Sequence, residues 1–154
     1  MKFYNLLILI VLMTSCSDNH IHKEIDRNFP NNRWQKATIK SFDFVIHDSL
    51  PQYDFKILLT HVADSQYDLI PVEISLIAPD KSVIKEQILI RIKDADGKDL
   101  GDCVGDYCDV ETVALLKMKL AEGKYIVRLK NNFPGSYLPN VIGLGIELTE
   151  SLPE

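Results

Sequence analysis

The chain has 154 residues, 46% of them hydrophobic and 25% charged, with a net charge of −5 and three cysteines. That length suits one domain with a core of its own, and the acidic balance excludes a nucleic-acid-binding protein, which needs a basic face. No apolar run reaches the roughly 20 residues that a membrane-crossing helix requires.

Met1–Ser15 reads as a signal peptide. Lys2 supplies the positive start, Leu6–Met13 is a continuous apolar run of signal-peptide length, and the small pair Thr14-Ser15 leads into Cys16. Cleavage before a cysteine is the mark of lipoprotein processing, in which the thiol accepts diacylglycerol; Cys16 is therefore the expected lipidation site and first mature residue. Residues 16–32 are polar and without apolar periodicity, so they are expected to form a flexible tether. Residues 33–154 are expected to form a single domain.

From Arg33 onward apolar residues alternate with polar ones, as in half-buried strands. Thr38, Lys40, Phe42, Phe44 and Ile46 share one face; Tyr53, Phe55, Ile57 and Leu59 share another; Ile70, Val72, Ile74 and Leu76 follow. Ile84, Glu86, Ile88, Ile90 and Ile92 alternate with Lys85, Gln87, Leu89, Arg91 and Lys93. Val113–Leu120 fits a strand or a helical turn. Tyr125, Val127 and Leu129 form a further strand, and Ile142, Leu144, Ile146 and Leu148 the last. Turn residues such as Pro79-Asp80-Lys81 and Asp96-Gly97 separate the runs. Short, evenly spaced strands without helices between them predict an all-β fold, an antiparallel β-sandwich of immunoglobulin- or jelly-roll-like type.

Acidity is concentrated in one stretch. Between Asp94 and Glu111 lie Asp94, Asp96, Asp99, Asp102, Asp106, Asp109 and Glu111 against Lys98 alone. Clustered carboxylates suit a hard cation, a basic partner surface or a solvated turn. The glycine in Asp94-Ala95-Asp96-Gly97 is the fourth residue, not the sixth that an EF-hand demands, and Gly97, Gly101 and Gly105 suggest looseness. A partner is the preferred use over an ion. Cys103 and Cys108 lie close together in a chain bound for an oxidising compartment, and a local disulfide is expected, with two free thiols as the alternative. His20, His22, His47 and His61 show no metal-ligand spacing, and there is neither a nucleophile elbow nor a phosphate-cradling loop. No enzyme activity, metal or cofactor is expected. Trp34, Tyr53, Tyr67, Tyr107 and Tyr137 are candidates for a sugar-stacking platform, with Trp34 alternatively a core plug.

The ordered set Asn28-Phe29-Pro30-Asn31-Asn32-Arg33-Trp34, Phe42-Asp43-Phe44-Val45-Ile46-His47-Asp48 followed by Tyr53, Asp94…Gly97…Gly101 with Gly105-Asp106 behind it, Gly123-Lys124-Tyr125 and Val141-Ile142-Gly143-Leu144-Gly145-Ile146-Glu147 resembles the GldH gliding-motility lipoproteins of Bacteroidetes. The chain departs from that pattern at Leu100, where a tryptophan is usual, and in its two local cysteines. The resemblance implies a lipid-anchored protein of the cell envelope at the outer membrane, belonging to the gliding machinery and docking on other envelope proteins. It supplies no catalytic residue. The alternative is a surface module that binds glycan or a divalent cation.

Overall fold

The computed structural model describes residues 20–152; the signal peptide and Cys16 lie outside the described residues. Among the described residues there are eleven strands: β1 (His20–Asp26), β2 (Arg33–Gln35), β3 (Ile39–Ile46), β4 (Gln52–Val62), β5 (Leu69–Ile77), β6 (Val83–Arg91), β7 (Asp102–Val104), β8 (Tyr107–Lys119), β9 (Gly123–Asn131), β10 (Tyr137–Pro139) and β11 (Val141–Glu150). A five-stranded sheet has the order β1-β11-β4-β8-β7, and a four-stranded sheet the order β3-β9-β5-β6; β2 and β10 form a short ribbon. Every pairing is antiparallel. The sheets stack as an all-β sandwich and do not close into a barrel.

The alternating faces supply the core. Phe42, Phe44 and Ile46 of β3 and Phe55, Ile57 and Leu59 of β4 meet Ile70, Val72, Ile74 and Leu76 of β5, Val127 and Leu129 of β9, and Leu144, Ile146 and Leu148 of β11. Phe44 stacks on Tyr125 at 5.3 Å and tilts against Phe55 at 5.3 Å. The β2–β10 ribbon closes one end: Trp34 faces Leu138, and both are buried. The indole Nε1–H donates to Thr38 O at 2.8 Å, and the carbonyl of Trp34 accepts from buried Asn131 Nδ2 at 2.9 Å. Trp34 is thus a core plug.

The structure differs from the sequence reading at the start of the domain. The polar stretch expected as a tether contains β1, which pairs with β11 from His20↔Thr149 to Asp26↔Leu144. Three residues, Ser17 to Asn19, separate Cys16 from that strand. Lys40, on the inward face of β3, is buried over the Phe29 ring at 4.1 Å. Its ammonium donates to Asp26 Oδ2 and to Asn28 O, both at 2.8 Å, so the end of β1 neutralises a charge that β3 buries. Burial pushes the Asp26 carboxyl up, but the hydrogen bonds from Lys40 and the Asn28 N–H, with the ammonium charge, leave it below the usual range.

The ambiguous Val113–Leu120 is strand. Against β4 its register runs Tyr53↔Met118, Phe55↔Leu115, Lys56↔Val113, so two extra residues are accommodated as bulges. Each bulge shifts the alternation by one, which gives a strand a helix-like spacing of apolar residues.

The registers define two poles. At one, the start of β1, the end of β11, the start of β4 and the end of β8 coincide: His20↔Thr149, Glu150↔Tyr53, Gln52↔Lys119. The 47–51, 78–82 and 120–122 turns lie at this pole. At the other are the β7–β8 hairpin, the loop from 92 to 101 and the β2–β10 ribbon. β8 alone, at about 3.3 Å per residue, separates the poles by about 40 Å.

Candidate functional site

The acidic stretch folds over the second pole, and its carboxylates satisfy backbone donors. Asp94 Oδ1 accepts from the N–H of Asp96 and of Lys98, both at 2.9 Å. Asp99 Oδ2 accepts from Asp64 N at 2.6 Å, while Leu100 N donates to Ile92 O at 2.9 Å. Gly101 has φ +90, and a Cβ there would come within 2.2 Å of Asp109 O; the loop packs tightly against β8. The looseness read from the glycines is therefore absent at Gly101, which serves close approach.

Beyond the loop, β7 and β8 form a hairpin with Val104 opposite Tyr107 and Gly105, at φ +61, as the first turn residue. Cys103 and Cys108 face each other across it, joined as a disulfide. Asp102 and Asp109 are the neighbouring cross-strand pair. Like charges opposite one another are unfavourable; Thr60 relieves this by donating its hydroxyl to Asp109 Oδ1 at 2.5 Å. Asp106 lies at the tip and Asp96 is exposed. Mass spectrometry without reductant should find the exported protein two hydrogens lighter than its dithiol. Replacing both cysteines with serine should cost about 2 kcal/mol, the value of a short loop closure. Two alkylatable thiols in the exported protein would contradict the bond.

A groove of about 510 Å³ runs along the outer face of the five-stranded sheet. Lys23 and Ile25 of β1 with Arg27 just beyond it form one wall, Asp109 and Glu111 of β8 with Asp102 the other, and Leu58 and Thr60 of β4 belong to the floor. Beside it an alternating charge ladder crosses four strands. Lys23 Nζ lies 3.1 Å from Glu147 Oε1, and Lys56 Nζ lies 3.3 Å from Glu147 Oε2 and 2.9 Å from Glu111 Oε2. The Glu147 side chain is 1% exposed. Burial raises its pKa, but the two ammonium groups outweigh burial and hold it below the usual carboxylate range.

A carboxyl that ionises more readily folded than unfolded stabilises the fold fully above the ordinary carboxylate range and progressively less as the pH falls through its lowered folded value. Glu147→Gln should therefore flatten the acid side of a stability profile measured between about pH 7 and about pH 3. The lysines rehydrate when unpaired, so its loss at neutral pH should be about 1–2 kcal/mol, less than for a fully buried pair. An unchanged acid limb in the variant would remove Glu147 from this role.

The histidines do not converge. His22 Nε2 is 3.4 Å from Glu24, His47 is exposed, and buried His61 has its Nδ1 2.9 Å from Val62 O. Among the described residues, no three histidine, cysteine, aspartate or glutamate side chains are grouped to hold a metal ion. The aromatics are dispersed too. Trp34 and Tyr53 are buried, Tyr67 packs edge-on against Phe133 at 4.7 Å, Tyr137 lies under Arg33 at 4.4 Å, and Tyr107 is exposed at the hairpin.

What sequence reading missed is a seam along one side of the sandwich. β6 pairs with β5 over nine residues without a bulge and has no second partner among the described residues. β7 covers only the first residues of β8, leaving β8 from Val110 onward without a strand on that side. Ile84 and Leu89 of β6, with Val113 and Leu116 of β8, are 41–63% exposed. The alternation along β6 implied that Ile84 would be covered. It is 41% exposed, at the free edge of its sheet.

No curated protein and no solved structure matches the chain. The GldH lipoprotein family model matches residues 20–148, from the first strand into the last. The chain belongs to the GldH lipoprotein family, whose members are lipid-anchored proteins of the cell envelope.

Proposed function

We propose that the protein is a non-catalytic docking component of an envelope assembly, as in the gliding machinery, held at the outer membrane by a lipid on Cys16. The open β6–β8 seam carries this reading. Soluble monomers normally protect a long strand edge with bulges, inward charges or a covering loop, because unpaired N–H and C=O groups recruit another strand. β8 has its bulges, whereas β6 is free of bulges, carries the single charge of Glu86 on its inward face and is flanked by exposed Ile84 and Leu89. An extended segment of a partner can add to such an edge through main-chain hydrogen bonds. The acidic loop at Asp94, Asp96, Asp99, Asp102, Asp106 and Asp109 supports a partner with basic residues, contributing association rate and specificity more than affinity. A glycan reading is disfavoured by the dispersal of the five aromatics.

Ile84→Lys combined with Leu116→Lys should reduce severalfold the envelope proteins recovered with the lipoprotein from crosslinked membranes. Both side chains are exposed, so stability should stay within about 0.5 kcal/mol of the parent. Unchanged recovery from a folded variant would sink the docking role of this seam.

A further inference from the structure

The distance between Cys16 and β1 fixes which end of the domain meets the membrane. Cys16 precedes His20 by four residues, and a fully extended chain of that length reaches about 14 Å. His20 sits at the pole where β11 ends and β4 begins, so a lipid on Cys16 would draw that pole onto the bilayer. The same pole presents two almost fully exposed leucines. Leu50, 91% exposed, tips the 47–51 turn, and its N–H donates to Asp48 Oδ1 at 2.8 Å. Leu152, 74% exposed, follows Ser151, whose N–H donates to Gln52 O at 2.8 Å and whose hydroxyl donates to Asp54 Oδ1 at 2.6 Å. Both leucines are held outward by ordered backbone instead of folding over the core.

We infer that this pole is a membrane-contact surface, with Leu50 and Leu152 inserted at the boundary between headgroups and acyl chains. The inference rests on the lipidation of Cys16 proposed above. Side chains of an interfacial element enter this boundary by about 5–10 Å, a depth that a turn-tip leucine reaches. Charge supports the same orientation. The carboxylates from Asp94 to Asp109 lie at the far pole, where an anionic membrane surface repels them least.

The competing orientation lays the domain on the outer face of the four-stranded sheet. There Lys85, Arg128 and Lys130 border a depression of about 390 Å³ together with Ile39 and Val83. Those cations belong to the four-stranded sheet, whereas β1 is the edge of the five-stranded one, and the short link favours the pole.

Tryptophan probes distinguish the two. The protein's one tryptophan, Trp34, is 1% exposed and gives a constant background. Leu50→Trp, Leu152→Trp, Ile39→Trp and Val104→Trp would each be made in the full lipidated protein. Each would be reconstituted into vesicles of phosphatidylethanolamine and phosphatidylglycerol, with and without brominated acyl chains. Bromolipid should quench the probes at 50 and 152 to roughly half, and leave those at 39 and 104 at the background level. A floating, lipidated protein in which the probe at 50 is not quenched, or in which the probe at 39 is quenched instead, would overturn the orientation alone. Failure of the parent to float with vesicles, or absence of the acyl mass at Cys16, would overturn the anchor and the orientation with it.

Discussion

Cys16→Ala is expected to transfer the protein from the membrane fraction to the soluble fraction. Several acyl chains together anchor stably, whereas one chain binds only marginally. Without them, the pole at the start of β1 offers two exposed leucines, each contributing about 2 kcal/mol of apolar burial at best. That is too little to hold a domain whose far end is acidic. The N-terminal peptide of the parent should begin at Cys16 and carry the mass of the acyl groups. A processed Cys16→Ala protein that still pellets with membranes after a salt wash would mean that another element supplies the anchor.

The second large effect is expected at Trp34. Its ring is 1% exposed, meets Phe29 edge-on at 6.4 Å and donates to Thr38 O. Trp34→Ala removes the plug that joins the β2–β10 ribbon to the sandwich and leaves the Thr38 carbonyl without this donor. Truncation of a buried aromatic costs about 3–5 kcal/mol, and in a domain of this size that lowers the Tm by roughly 10–15 °C. Trp34→Phe keeps most of the volume and should cost roughly half as much, because the indole hydrogen bond is lost but the cavity is small. Urea unfolding would measure both. A loss below about 1 kcal/mol for the alanine variant would place Trp34 among surface residues, in conflict with its burial.

Strands that cover the core along their whole length were legible, β3 at the edge of its sheet as well as β4, β5 and β9 inside theirs. Alternation in β3, β4, β5 and β9 put Phe42, Phe55, Ile74 and Val127 on the buried side, where they are found. β1 was not legible, because it lies at the edge of its sheet and also at the margin of the core. Its sequence HIHKEID turns Lys23 and Ile25 outward to the groove. On the other face His22 and Asp26 meet only the margin of the core, through Phe44 and Lys40. An edge strand can be polar on both faces, and periodicity then carries no signal. The three-residue strands β2, β7 and β10 are shorter than the period-2 pattern needs. The acidic stretch and the two cysteines were visible in composition. That Asp94 serves the loop's own N–H groups and Asp99 the N–H of Asp64 depends on backbone geometry, which composition does not encode.

The pairing of β1 with β11 has a consequence for how the protein matures. Residues at the two ends of the chain lie side by side, as in Glu24↔Ile146 and Asp26↔Leu144. The five-stranded sheet is therefore incomplete until the last strand has been delivered across the membrane. Pairings of such long sequence separation form late and slowly. Until it pairs with β1 and β4, β11, apolar through Leu144, Ile146 and Leu148, is open on both sides. An escort that shields this strand during export should raise the yield of folded protein, and removing β1 should keep the chain dependent on it.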